Sequence, residues 1–328
     1  MKADGVYGIP GARAWHPIAG CSMDLSCSQR CWARRTCARL AYAANADVRD
    51  FHRQVVDPTI GRGPGMAWTG RVLLNEAHLL DPLHWRKPQV IATGYHGDIA
   101  LLSRDDLEHV FDVMDSARQH RFVMLTKRPS MLREKLYGVA PDHPVAILGG
   151  GDYLPNVYLG VSASNQAEAD ERLGPLMELD VMGWKTWLSL EPLLGPINLW
   201  RYLGCPDRAC CPEEYAHPLV IVVGGESGPG SRPCHPDWIR SIRDQCMAAG
   251  VAFEFKQWGD WAAGHKMVGR LNPLYGKIEQ KSVTLSGGSL LDHPCLKYER
   301  MTRVGKRAAG RVLDGRTHDG FAEMLGKP

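Results

Sequence analysis

From Pro88 onward the chain repeats one pattern: a short run that is apolar throughout, a polar cluster, then a stretch with helical spacing. The apolar runs are Pro88–Gly94, Arg121–Thr126, Asn156–Ser162, Lys185–Leu190, Leu219–Val223 and Val251–Phe255. Between them, Ser103 with Asp106 three residues on reads as a capped helix start, and the following face carries Leu107, Val110, Phe111 and Met114. Pro129 and Pro236 suit first helical positions, ahead of Ser130–Tyr137 and a helix through Ala249, and Gln166–Leu179 is a further helix. Upstream, Arg30–Asn45 has helical spacing, residues 46–70 read as a loop-rich connector, and Arg71–Asn75 suits a short extra strand.

Strands that are apolar on both faces and alternate with helices predict a parallel sheet covered on both sides. Six such units make an α/β protein, an incomplete (β/α)6 TIM-like barrel or a strongly curved open sheet. The expected organisation is an N-terminal segment 1–45, a partial barrel 46–262 with an inserted loop 202–217, and a C-terminal extension 263–328 packed on the barrel. In such folds the chemistry lies at the C-terminal ends of the strands. Polar groups gather there: Thr93 to Asp98, Thr126-Lys127-Arg128, Ser162, Ser189 with Glu191, Gly224 to Ser227, and Lys256-Gln257.

Composition narrows the class without naming a partner. With 44% hydrophobic and 23% charged residues, the 328-residue chain can bury a sizeable core. It has no run of about 18 apolar residues, so no membrane partner is expected. The balance of 39 Lys+Arg against 36 Asp+Glu leaves only +3. Basic residues cluster locally, at Arg30, Arg34, Arg35 and Arg39 and again at Arg303, Lys306, Arg307, Arg311 and Arg316. Either group suits a solvated face or a phosphate-binding patch.

Cysteine spacing carries the sharpest chemistry. Cys21, Cys27 and Cys31 fall inside eleven residues, although the chain has only ten cysteines in all. Thiols that close together read as metal or redox ligands in a reducing compartment, and M-K-A-D-G-V-Y-G has no apolar leader core, so a cytoplasmic setting is expected. A closed zinc site needs four protein ligands, here with Cys37 or a distant His as the fourth, whereas an iron–sulfur cluster held by three cysteines leaves one iron open. Simple burial is the plainer alternative. Cys37, inside a helix, is expected to pack as a small hydrophobe. Cys205, Cys210 and Cys211 in the inserted loop suit a solvent loop or a second metal.

The succession W-H-P-I-A-G-C with C-W-A, then L-T-K-R-P (Leu125 to Pro129), L-G-V-S (Leu159 to Ser162), L-E-P-L-L-G (Leu190 to Gly195), V-G-G-E-S-G-P-G-S-R-P (Val223 to Pro233) and F-K-Q-W-G (Phe255 to Gly259) resembles an uncharacterised phage-associated family, regarded as a distant branch of the radical S-adenosylmethionine enzymes. The likeness runs in order over residues 14–316. Radical S-adenosylmethionine enzymes generally carry C-x3-C-x2-C, whereas here five and three residues separate the cysteines. The outer pair keeps the family's separation and the middle one is shifted.

The resemblance implies a [4Fe–4S] cluster on Cys21, Cys27 and Cys31, with S-adenosylmethionine chelating the fourth iron and cleaved to a 5′-deoxyadenosyl radical. Trp32 would border the adenine. Asp98, Lys127 and Glu191, with Ser162, would meet the cofactor's polar groups, unless Lys127 and Glu191 merely pair. Glu226, Arg232, Lys256 and Gln257 would face the substrate, with Glu226, Lys256 and Gln257 the candidate catalytic groups. The implied substrate is a modified nucleobase, such as a modified thymine in phage DNA, or a free nucleotide; the protein would then work in the host cytoplasm with a reductase or flavodoxin-like electron donor. Competing expectations are a non-catalytic nucleic-acid-binding protein whose cysteines hold zinc, and a glycosidase-like barrel using Glu191 and Glu226.

Overall fold

The computed structural model describes residues 9, 11–23, 31–57, 67–138, 153–204, 217–263, 280–284 and 298–325. Cys27 and the cysteines of the inserted loop lie outside these residues. The architecture is mixed α/β with a seven-stranded sheet, compatible with a partial (β/α) barrel. Its strands follow in chain order: Arg13–Ala14, Val90–Thr93, Arg121–Thr126, Val157–Ser162, Lys185–Leu190, Val220–Gly224 and Ala252–Gln257. Arg13 lies opposite Ile91, Val90 opposite Arg121, and Val220 opposite both Trp187 and Ala252, all in parallel.

All six expected apolar runs form strands. The seventh is Arg13–Ala14, two residues too short to show a pattern, and not Arg71–Asn75. In that expected strand only Leu73–Leu74 pairs, antiparallel to Ile18–Ala19 in a separate ribbon.

Two compact units can be described separately: Met1–Gly160 with Met182–Lys185, and Val161–Val181 with Thr186–Lys327. In the first, the expected helix Arg30–Asn45 is shorter, Trp32–Leu40. It ends because the Arg53 guanidinium takes the Ala41 carbonyl at 3.1 Å, while Asn45 accepts the Val48 N–H at 3.1 Å and starts a second helix, Ala46–Arg53, inside the expected connector. Ser103 caps Arg104–Ser116 as its sequence predicts, accepting the Asp106 N–H at 3.1 Å. That helix buries Leu107, Val110, Phe111 and Met114, each such side chain contributing about 1.5–3 kcal/mol.

In the second unit Pro236 opens Pro236–Ala249 at its first turn and Gly250, at φ 74°, closes it by donating to Cys246 and Met247 carbonyls. Trp238, Ile239, Ile242 and Cys246 of this helix join the unit's main core with Leu188, Ile221, Val223 and Phe255. The terminal helix Gly320–Leu325 packs on Val220–Gly224 and Ala252–Gln257. There Phe321 meets Trp187 with ring centroids 4.9 Å apart, and its N–H bonds the buried Glu254 at 3.0 Å. A three-stranded antiparallel sheet of Trp261–Ala263, Tyr298–Arg303 and Gln280–Thr284 completes the unit. Gln280–Thr284 exposes its first three residues, and Tyr298–Arg303 is mostly polar, so these strands lack the continuous apolar signal. Among the described residues no helix is long and apolar enough to cross a membrane.

Candidate functional site

Backbone geometry around Gly20 fixes where the first cysteine goes. Gly20 has φ 111°, and a Cβ there would lie 2.1 Å from the Arg71 carbonyl oxygen. Its N–H donates to His96 O at 3.2 Å and its carbonyl accepts from Asp98 N at 3.3 Å. Only glycine permits this crossing. The chain therefore delivers Cys21 beside the loop that follows Val90–Thr93, at the C-terminal end of that strand.

Cys31 reaches the same region from the helical side. It is the N-cap of Trp32–Leu40, and its Sγ accepts the Arg34 N–H at 3.5 Å. Cys21 and Cys31 are free thiols, half-buried, and pack against one small core that includes Ala19, Cys37, Val56 and Trp68. Burial, then the Asp98 carboxylate, raises the Cys21 thiol to about 11, and Cys31 is near enough to add to the shift. Two half-buried thiols packed on one core are a donor set suited to a cation that draws off their protons. Cys37 is fully buried, is pushed up to about 12 by burial, and donates to His96 O at 3.6 Å.

Asp98 organises the other wall. One carboxylate oxygen accepts from Thr126 Oγ1 at 2.6 Å and Ala100 N at 3.2 Å. The other accepts from Lys127 N at 3.1 Å and Arg128 Nη1 at 2.8 Å. The same Arg128 nitrogen lies 3.9 Å from Cys21 Sγ, and Nη2 bonds Ser22. Asp98 thus has its acceptors engaged within the protein and acts on the cysteine through Arg128. Arg128 was visible in the sequence only as one of several polar residues at a strand end; its partner is thirty positions away.

Trp32 stays 54% exposed, its ring 6.1 Å from Tyr95 and 6.2 Å from His96. His96 stacks on His16 at 3.9 Å, and burial is the main cause lowering His16 to about 4 and His96 to about 3. Both rings are therefore neutral at pH 7. The sequence pattern did not single out His16, His52 or Tyr95.

The remaining candidates belong to the second unit. Ser162 is buried and its carbonyl accepts from Arg172 at 2.8 Å. Glu191 accepts from Lys256 Nζ at 3.1 Å and Ser189 Oγ at 3.2 Å, so its partner is Lys256. Gly224 lets this carboxylate pass, since a Cβ would lie 2.4 Å from Glu191 Oε1. Glu226 holds Arg232 in a fork, with Nε at 2.8 Å and Nη2 at 2.9 Å. Gln257 donates to Gly225 O at 2.7 Å and accepts the Gly259 N–H. Asp260 accepts from Gly228 N at 3.0 Å and Arg303 at 3.2 Å. The glycine-rich segment is thus a braced turn, and among the expected substrate groups Lys256, with Glu191, is the pair joined across two strand ends.

These motifs follow one another over nearly the whole chain, and the DUF5131 family model, described as a protein of unknown function, matches residues 11–322. The chain belongs to that family. No curated protein and no solved structure matches it.

Proposed function

We propose that this DUF5131 protein is a radical S-adenosylmethionine enzyme, a partial barrel of that type, with a [4Fe–4S] cluster on Cys21, Cys27 and Cys31. The observation that carries the reading is the convergence of Cys21 and Cys31 as free, half-buried thiols on one small core, each sulfur facing N–H donors. When bound, such a cluster supplies the electron that splits S-adenosylmethionine into methionine and a 5′-deoxyadenosyl radical.

The chain's own residues do the rest. Arg128, fixed by Asp98, holds positive charge beside the Cys21 sulfur. The Arg34 N–H in the first turn of Trp32–Leu40 faces the Cys31 sulfur, where negative charge is favoured. The exposed Trp32 ring offers a stacking surface for a purine. Lys127 is the group for the cofactor's polar atoms beside the cysteines, while Asp98 positions Arg128. Lys256, together with Glu226, Arg232 and Gln257, serves the substrate, read here as a modified nucleobase in DNA. The exposed Lys306 and Arg307 support a phosphate-bearing substrate.

Cysteine variants test the ligand set. Anaerobically purified Cys21→Ala and Cys31→Ala proteins are expected to lose iron and sulfide together, whereas Cys37→Ala keeps both. Iron and sulfide retained in the Cys31 variant would refute the assignment.

A further inference from the structure

One cluster of metal-binding side chains has no part in the chemistry above. Cys37, His52 and His96 come from three separate elements: the last turn of Trp32–Leu40, the last turn of Ala46–Arg53, and the loop after Val90–Thr93. All three are more than nine-tenths buried, and one donor atom of each lies within 4.8 Å of the other two. His52 uses Nδ1 to hold Val48 O at 2.7 Å, which leaves Nε2 as its donor atom. Anchoring one ring nitrogen on a backbone carbonyl is how a metal-binding histidine is usually oriented. Beside His96, the stacked His16 ring leaves Nδ1 buried and without a hydrogen bond.

We propose that Cys37, His52 and His96 form a second metal site, separate from the three-cysteine loop, for a borderline-soft divalent ion of the zinc class. One sulfur and two imidazole nitrogens match that ion's preferred donors. With metal–sulfur and metal–nitrogen bonds of about 2.3 and 2.0 Å, a tetrahedral site spaces its donors about 3.3–3.6 Å apart. Closure by about 1 Å of side-chain movement from the present spacing suffices. Binding forms one sulfur–metal and two nitrogen–metal bonds, and the Cys37 thiol proton, now directed at His96 O, leaves to solvent. A water can fill the fourth position and hydrogen-bond the orphaned His16 nitrogen. The ion would tie the two helices to the His96 loop, a structural role that needs no redox change.

The test uses the full chain carrying Cys21→Ser and Cys31→Ser, which cannot hold the proposed cluster. Anaerobic titration with Co2+ is expected to give a tetrahedral cobalt–thiolate spectrum saturating at one equivalent, and adding His52→Gln should abolish it. Absence of the tetrahedral signal, or its survival in the His52 variant, overturns the proposal. X-ray absorption at the zinc edge of the unmutated, zinc-loaded chain gives an answer that needs no variant to fold. One sulfur with two imidazoles is expected; a sulfur-dominated shell would assign the ion to the three-cysteine loop instead. Because the serine variants remove the cluster ligands, failure of this proposal and failure of the radical-enzyme reading are read separately.

Discussion

Replacing Arg128 with methionine removes the charge that links Asp98 to the cysteine loop while keeping most of the side-chain volume. Both side chains of the pair are only 8% exposed, with N to O at 2.8 Å. At that distance and an effective dielectric constant near 20, the Coulomb attraction is about 6 kcal/mol before desolvation is subtracted. Breaking a buried pair by removing one partner typically costs about 3–5 kcal/mol, because a charge is left behind. Asp98 keeps the Thr126 hydroxyl and the Ala100 and Lys127 N–H groups, so the lower end, about 3 kcal/mol, is expected for Arg128→Met. Urea denaturation of the metal-free full chain measures it, provided the m-value stays constant. Asp98→Asn and the double variant complete a cycle with an expected coupling of at least about 1.5 kcal/mol. A loss below about 1 kcal/mol for Arg128→Met, or additivity in the cycle, would refute the account of how the loop is held.

Gly20→Ala is expected to cost about 3 kcal/mol or more and to reduce iron content, because its Cβ would meet the Arg71 carbonyl at 2.1 Å in a positive-φ residue; a variant with wild-type melting and iron would contradict this. Burial is the main cause raising Glu254 from 4.5 to about 7. As a folded-state acid with a raised value, it contributes stability that is complete below pH 4.5 and lost as pH rises through 7, about 3 kcal/mol in all. Glu254→Gln should therefore gain about 3 kcal/mol relative to wild type between pH 4.5 and pH 8, measured by denaturant melts; a pH-independent difference would count against it. Lys306→Glu with Arg307→Glu should weaken DNA binding and lower its salt slope by about one for each phosphate no longer neutralised. DNA affinity without salt dependence in the parent would return these residues to the role of a solvated face.

How much of this was legible follows from where each signal resides. The run Leu219–Val223 is apolar throughout, so burial on both faces and a strand could be read directly, as could Pro236 at a helix start and Ser103 as a cap. The strand Arg13–Ala14 has two residues and hence no period. The helix Ala46–Arg53 is eight residues long with Val48 and Phe51 as its only large apolar side chains, too few to stand out as a period from the connector around it. Cys21 and Cys31 were visible because close spacing of thiols is a local signal. Arg128 was not, since its meaning lies in Asp98 and Cys21, brought to it by the crossing at Gly20. The same holds for Cys37, His52 and His96, whose three elements meet only in the fold. What fixes the turn G-G-E-S-G is equally distant in sequence. In the structure Gly225 admits the Trp258 carbonyl, 2.0 Å from where its Cβ would stand, and the turn is braced from within.

The central claim is that three cysteines in this chain serve radical chemistry, and turnover of the cofactor tests it most directly. Anaerobically purified full chain, reduced with dithionite and given S-adenosylmethionine, is assayed for 5′-deoxyadenosine and methionine by chromatography, with the Cys21→Ala/Cys31→Ala chain alongside. Release of both products in equal amounts by the parent, and none by the variant, is the predicted result. A parent that holds one [4Fe–4S] cluster yet forms no more 5′-deoxyadenosine than the variant would contradict it.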